Sequence, residues 1–131
     1  MSYDRTVRLA TANFAAAVTA VRQALADQGF GVLTEIDVTA TLKTKLGHDM
    51  EDYLILGACN PPLAHRALEA DRSIGLLLPC NVVVRREGGH TVVQALDPGT
   101  MVTLTGLDAL EPVAEEATAR LDAALNALSP S

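Results

Sequence analysis

The sequence predicts an α+β domain, in which helices pack on one sheet as a two-layer α/β sandwich. The apolar residues alternate along the chain between a period of 3.6 and a period of 2, and Gly, Pro or Asn stands at the changes. The resulting order, β-α-β-α-β-α-β-β-α, contains a hairpin and favours a mixed, largely antiparallel sheet. A chain of 131 residues fits a single domain, 1–131, with a core that needs neither disulfide nor metal.

The first strand is predicted at 6–10, and a helix follows it. Thr11 or Asn13 would cap the start of this helix, and Gly29 would end it. Its inward face is marked by apolar residues that recur every three to four positions, namely Phe14, Val18, Val21 and Leu25.

The next strand is predicted at 30–36, where apolar and polar residues alternate. Asp37 is placed to cap a second helix, and Gly47 to end it. This helix would carry an apolar stripe made of Val38, Leu42 and Leu46.

The run 53–59 is apolar at every position, and this is typical of a central strand that is buried on both faces. Asn60 is a good helix cap, and Pro61 suits the first helical position, where its missing N–H does no harm. The inward face of the third helix is then predicted to consist of Leu63, Ala64, Ala67 and Leu68.

A second apolar run, 73–78, is interrupted by Pro79, and a strand continues at 82–86. The turn 87–89 leads into its hairpin partner at 90–96, and 97–99 turn again. Pro112 opens the last helix, whose apolar side comprises Val113, Ala117, Leu121, Ala124, Leu125 and Leu128.

The composition restricts the classes of function. Residues of the AVILMFWYC set make up 49% of the chain and aromatic residues 3%, so the core is aliphatic. A net charge of −6, without a basic run, argues against nucleic acid as a partner. The sequence shows neither a signal peptide nor a membrane-spanning segment, and two cysteines without an export signal are expected to be reduced thiols. We therefore expect a cytoplasmic protein that binds no membrane.

The two cysteines are the main candidate for chemistry. They stand in similar settings, Cys59-Asn60-Pro61-Pro62 and Pro79-Cys80-Asn81. A thiol just before a capped helix lies near unpaired N–H groups that favour negative charge, and such a site can lower its pKa. One interpretation is a reactive thiol, or a reversible Cys59-Cys80 pair, in redox sensing or sulfur handling. The other is that both cysteines are small buried hydrophobic residues at strand ends.

The histidines offer a weaker alternative. A metal site would combine the cysteines with His65, His48 or His90, but zinc sites usually have closely spaced ligand pairs, and the nearest Cys-His spacing here is six residues. His65 would also point away from the core. We predict no metal and no cofactor.

The remaining polar candidates have simpler interpretations. Asp49, Glu51 and Asp52 beside His48 could form an acid/base or cation cluster, but such a group is more typical of a solvated loop. Arg85, with Arg86, stands at a hairpin end, where it could bind an anion or keep an edge strand soluble. The candidate site accordingly comprises Cys59, Asn60, Pro61, Cys80 and Asn81, followed by the weaker candidates His65, His48 and Arg85.

Four short sequence segments together resemble a known family. They are 29–32 (GFGV), 56–61 (LGACNP), 74–81 (IGLLLPCN) and Asp97-Pro98. With them, the chain is similar to the prokaryotic family called domain of unknown function 302, and it looks like the branch that has a cysteine at both positions. The resemblance implies a compact α/β domain that tends to form homodimers and has no established activity.

Three classes of function remain: a binding or interaction module, a thiol-dependent protein, and a small enzyme with a pocket between subunits. No Ser-His-Asp set, nucleotide loop or carboxylate pair is present, so a non-catalytic protein is favoured. A mean hydropathy of +0.22 is high for a small monomer and favours a homodimer. We predict a homodimeric module that binds a small molecule or a partner near the turns 59–62 and 79–81, with a thiol-dependent redox or sulfur-handling protein as the alternative.

Overall fold

The sheet has five strands, all antiparallel to their neighbours. The computed structural model describes residues 3–11 and 13–128. The strands lie in the order β1-β5-β4-β3-β2, with bounds β1 (Asp4–Leu9), β2 (Gly31–Asp37), β3 (Tyr53–Cys59), β4 (Cys80–Glu87) and β5 (His90–Leu96). The α+β class and the predicted element order are confirmed. β1 and β2 run in the same direction, but three strands separate them, so no parallel ladder forms between the described strands.

Two long helices cover one face of this sheet. The helices are α1 (Phe14–Asp27), α2 (Val38–Leu46), α3 (Pro61–Ala70), α4 (Gly99–Thr105) and α5 (Glu111–Ala127). α1 and α5 pack against each other and on the strands. In each helix the apolar residues recur every three to four positions, so they form one stripe that faces inward. The centre of this main core includes Val21, Leu56, Val84, Val93 and Leu121.

Most of the predicted helix ends are confirmed. Asn13, Asp37 and Asn60 each accept a hydrogen bond from a backbone N–H of the first helical turn. Asn13, and not Thr11, is therefore the cap of α1. Gly47 has the left-handed φ of 64° that ends α2, and Gly29 follows α1 with a φ of 84°.

Three segments differ from the sequence-based expectation. The first strand begins at Asp4, two residues earlier than predicted. The run predicted at 73–78 is a 3-10 helix (Arg72–Leu77), because the Asp71 side chain accepts a hydrogen bond from the N–H of Ser73 and only Ile74 is buried. Residues 97–99 do not simply turn, since α4 begins there and buries Met101.

A second, smaller core lies beyond the end of β3. It joins α3, the 3-10 helix Arg72–Leu77, α4, a second 3-10 helix (Asp108–Leu110) and the first half of α5. Its buried residues include Leu63, Ala67, Ile74, Met101, Leu110 and Val113. The chain passes from the main core to this second core through the segment around Cys59. Within the described residues, no helix combines the length and the apolar character needed to cross a membrane.

Candidate functional site

The predicted cysteine site lies where β3 ends and β4 begins. In the register of these two strands, Ala58 stands opposite Cys80 and Gly57 opposite Asn81. Cys59 is the last residue of β3, and Cys80 is the first of β4. The two thiols are free and half-buried. The fold thus brings together the two sequence motifs that stand 21 residues apart in the chain.

Asn60 has a structural role at this junction. Its buried side chain accepts a hydrogen bond from the N–H of Leu63, and its Nδ2 donates to the carbonyl of Gln28 at 3.4 Å. Arg120 donates to the same carbonyl at 3.3 Å. One side chain therefore joins the end of α1 to the start of α3, and its hydrogen-bonding atoms are occupied.

The cysteines border a small cavity between the sheet end and the helices α3 and α5. Its volume is about 30 Å³, and its wall is almost entirely apolar. Besides the cysteines, the lining includes Phe30, Ala58, Leu63 and Met101. This volume has room for about one water molecule. The cavity as it stands does not hold an organic ligand.

The arrangement of the two thiols differs from that of a facing cross-strand pair. Cys80 stands opposite Ala58, which belongs to the core on the helix side. Cys59 stands opposite Gly31 of β2, so the two cysteines are not partners in the strand register. A disulfide needs side chains that point toward each other, which this register does not favour.

Burial also keeps the thiol of Cys80 protonated. The pKa of Cys80 is raised, first because burial disfavours the thiolate and second because of the negative charge that Cys59 would carry. A raised pKa lowers the fraction of thiolate, which is the nucleophilic form. The structure thus gives Cys80 the environment of a packing residue.

The sheet face opposite α1 and α5 carries a larger groove, which the sequence analysis did not identify. The strand 53–59 was predicted to be buried on both faces. Only the side chains toward the helices are buried there, including Leu54 and Leu56, whereas Tyr53 and Ile55 are half-exposed. The groove has a volume of about 350 Å³ and is lined by Tyr3, Asp4, Tyr53, Asn81, Val83, Gln94, Ala95 and Leu96.

Gln94 forms the polar floor of this groove. Its Oε1 accepts a hydrogen bond from Nε of Arg85 at 3.0 Å. Its Nε2 donates to Oγ1 of Thr6 at 3.2 Å and to Asp4 at 3.4 Å. Because these partners belong to β1 and β4, the two strands that flank β5, the amide is held in one orientation. The groove therefore combines apolar and aromatic walls with a fixed amide.

Comparison with known proteins agrees with this fold. A family model described as "Domain of unknown function DUF302" matches residues 5–128. The chain belongs to the DUF302 family. The crystal structure of the uncharacterized conserved protein DUF302 from Bacillus stearothermophilus is similar, with a TM-score of 0.91 and 32% sequence identity over 98% of this chain and 100% of that chain. No curated protein matches the chain.

The weaker candidates are dispersed over this DUF302 domain. His65 is exposed and lies 3.4 Å from Glu69. His48 lies in an exposed loop beside the ion pair of Lys43 with Asp49. Arg85 contacts Gln94 and also a glutamate of its own strand. Among residues 3–11 and 13–128, no three His, Cys, Asp or Glu side chains come together as metal ligands.

Two further depressions of the DUF302 domain are less suited to a ligand. One, of about 280 Å³, is formed by α2 and the acidic loop that follows it, and its charges include Lys43 paired with Asp49. The other, of about 480 Å³, is a shallow groove between α4 and α5, with Glu111 and Glu115 among its residues. The sheet groove differs from both in that the half-buried amide of Gln94 is held by hydrogen bonds at its floor.

Proposed function

We propose that this DUF302 domain is a homodimeric module that binds a small, uncharged, amphipathic molecule in the groove of the open sheet face. The observation that carries the proposal is the fixed amide of Gln94 between the walls formed by Tyr53 and Val83. A volume of about 350 Å³ is also within the usual range of ligand sites, roughly 300–1,000 Å³.

The proposed site lies across the sheet from the cavity at the cysteines. The cavity of about 30 Å³ is too small for a molecule of several heavy atoms. Asn81 belongs both to the turn 79–81 and to the groove wall, so the groove still includes a residue of the sequence-based site.

A binding experiment tests this site with acetanilide, which carries an aromatic ring and one amide. In titrations followed by two-dimensional NMR, we expect its largest shift changes at Tyr53, Asn81 and Gln94. The variant Gln94→Ala should weaken binding roughly ten-fold, because it removes the second lone pair of Oε1, which would accept a hydrogen bond from the acetanilide N–H. Thr118→Ala, in the groove between α4 and α5, is the matched control and should bind as the wild type does. Shift changes that map away from the sheet groove, or none at all, contradict the proposal.

The homodimer is supported by an unusually exposed apolar surface, which we name the β2–α2 face and define as residues 31–46. Leu33, Ile36 and Leu46 are 67%, 50% and 73% exposed. α2 has nine residues and none is buried. A helix of this length is marginal in water without packing. Sedimentation at micromolar concentration should give twice the 13.8 kDa of one chain, and a stable monomer would contradict this part of the proposal.

A thiol-dependent redox or sulfur-handling role is the second candidate. It is favoured by two observations: Cys59 and Cys80 border the same cavity, and a negative charge on Cys59 raises the pKa of Cys80. In this proposal the protein is cytoplasmic, where free thiols stay reduced.

The pH dependence of alkylation by iodoacetamide tests the thiol role. The variants Cys59→Ser and Cys80→Ser report on one thiol each. Cys80 should require a more alkaline pH than a free thiol does, because its pKa is raised. Rapid alkylation of Cys59 at neutral pH would support the role, whereas apparent pKa values at or above that of a free thiol for both cysteines would exclude it.

A further inference from the structure

The two edges of the sheet differ in how they are protected. On the β1 edge, Arg5 pairs with Asp97 and Asp122, and Arg8 pairs with Glu87. Charged side chains of this kind discourage pairing with another strand. Within the described part of the chain, β2 pairs with β3 alone, so the outer backbone groups of this seven-residue strand face away from the sheet. The β2 edge also carries an ion pair, between Glu35 and Arg22, and its register with β3 shifts between Val32 and Thr34. The regular stretch from Thr34 to Asp37 is therefore the part of this edge that is available for strand pairing.

The helix that follows extends this available surface. α2 begins directly after β2, and its stripe of Val38, Leu42 and Leu46 repeats every four residues. Side chains with this spacing share one helix face. Although the spacing is that of a packed helix, Val38 and Leu42 are only half-buried and Leu46 is exposed. The stripe is therefore a packing surface that the described residues cover only in part.

The charges of the β2–α2 face are compatible with a second copy of itself. It carries two acidic residues, Glu35 and Asp37, and two basic ones, Lys43 and Lys45, so its net charge is 2 − 2 = 0. The whole chain carries −6. Two copies that meet at this face avoid the repulsion that their overall charge would otherwise produce.

We propose that a second copy of the chain docks on the β2–α2 face, with the two β2 strands paired antiparallel across a two-fold axis. The inference rests on the homodimer of the proposed function and identifies its interface. The two five-stranded sheets become one of ten strands, and each α2 stripe is covered by the partner. The sixteen residues 31–46 supply most of the roughly 20–30 residues that a standard interface uses on each side.

Symmetry explains why the partner is a second copy paired through the same edge. A two-fold axis pairs β2 with β2 and leaves no further β2 edge free, so the assembly closes at two chains. Pairing of β2 with a β1 edge would be heterologous and would continue into a filament unless it formed a ring. The ion pairs along β1 oppose that second arrangement.

Paired lysine substitutions test this interface. In the variant Ile36→Lys with Leu46→Lys, we expect the dimer dissociation constant, measured by sedimentation, to rise by about 100-fold. The matched control is Leu76→Lys with Leu104→Lys, at leucines that are 89% and 66% exposed outside this face. The control should dissociate as the wild type does.

The outcomes separate this inference from the proposed function. If the wild type is a dimer and the β2–α2 variant dissociates no more than the control does, the interface is wrong and the homodimer stands. If the wild type is a monomer, both the β2–α2 interface and the homodimer of the proposed function are wrong. Hydrogen exchange of the wild type serves as a second measurement that does not depend on how the variants fold. Amides of β2 should exchange more slowly in concentrated than in dilute protein, and equal rates in a confirmed dimer would overturn the strand pairing.

Discussion

At the scale of single residues, the candidate site owes its shape to contacts that only one residue type allows. Asn60 accepts from one helix start and donates to one helix end, which requires both an oxygen and an amide nitrogen on one short side chain. Gly57 lets Thr34 and Pro79 approach the backbone of β3, because a Cβ at this position would lie 2.1 Å from Oγ1 of Thr34 and 2.9 Å from Cγ of Pro79. Both roles are structural.

The first prediction concerns Asn60. The variant Asn60→Ala should lower the free energy of unfolding by about 2–3 kcal/mol, because it removes a helix cap and a second, partly buried hydrogen bond. Asn13→Ala removes only the exposed cap of α1 and should lower it by about 1 kcal/mol. Urea unfolding measures both, and equal losses would show that the bond to Gln28 contributes nothing.

The second prediction concerns Gly57. The variant Gly57→Ala should destabilise the protein by about 1–3 kcal/mol through overpacking. Adding Thr34→Ala removes the closest clash and should restore part of the loss. Gly75→Ala is the control, since a Cβ there meets no atom within 4 Å, and its effect should stay within about 0.5 kcal/mol. If Gly57→Ala has the same free energy of unfolding as the wild type, the close approach of Thr34 and Pro79 to Gly57 is contradicted.

At the scale of elements, a glutamate holds two helices together beside the site. Glu116 of α5 accepts a hydrogen bond from Arg66 of α3 at 3.0 Å and another from Arg120 of its own helix at 3.3 Å. These bonds lower the pKa of Glu116, that from Arg66 most and that from Arg120 next. The contact between Glu116 and Arg120 spans four residues of one helix and is predictable from the sequence. The contact between Glu116 and Arg66 joins two helices and is not.

The third prediction follows from this lowered pKa. Since the folded form of Glu116 binds a proton less readily than the unfolded form, the contribution to stability is complete above the unfolded pKa of about 4.3 and is lost as the pH falls through the folded value. The variant Glu116→Gln should therefore reduce the change in urea midpoint over this acid range. Glu115→Gln, at an exposed neighbour on the same helix, is the control, and an equal change in both variants would contradict the assignment.

The elements show how far a sequence predicts its fold and its site. Caps such as Asn13, Asp37 and Asn60 were predictable because a cap and the N–H that it binds lie within a few residues. α4 was not, because it is short and no side chain caps its start. The groove at Gln94 was not predictable either. Its wall is formed by several strands, and the register of these strands depends on contacts between residues that are distant in the sequence.

At the scale of the whole molecule, three of the seven exposed large apolar side chains among the described residues lie together on the β2–α2 face. The high mean hydropathy indicated self-association without a location. In the structure, the β2–α2 face combines exposed leucine and isoleucine side chains with a strand edge that no other described strand pairs. The groove lies on the open face of the same sheet. Dimer formation through β2 would leave the groove strands in place.

The fourth prediction tests the molecule as an assembly. If folding and dimer formation are coupled, the melting temperature must depend on concentration. We expect it to rise by several degrees between about 5 and 500 µM protein, as measured by calorimetry. The variant Ile36→Lys with Leu46→Lys should show a smaller dependence. A wild-type melting temperature that is constant over this range would contradict the coupling.

The sequence by itself determined the α+β class, the order of the predicted elements, the family and most helix ends. These features depend on periodicity and on contacts within a few residues, and both can be recognised in the sequence itself. The tertiary structure decided that Cys59 and Cys80 border one small cavity without being partners in the strand register, that the groove at Gln94 lies across the sheet, and that the stripe of α2 is only partly covered. The physical reason is strand register, because a shift of one residue moves a side chain to the other face, and register is set by the packing of the whole core.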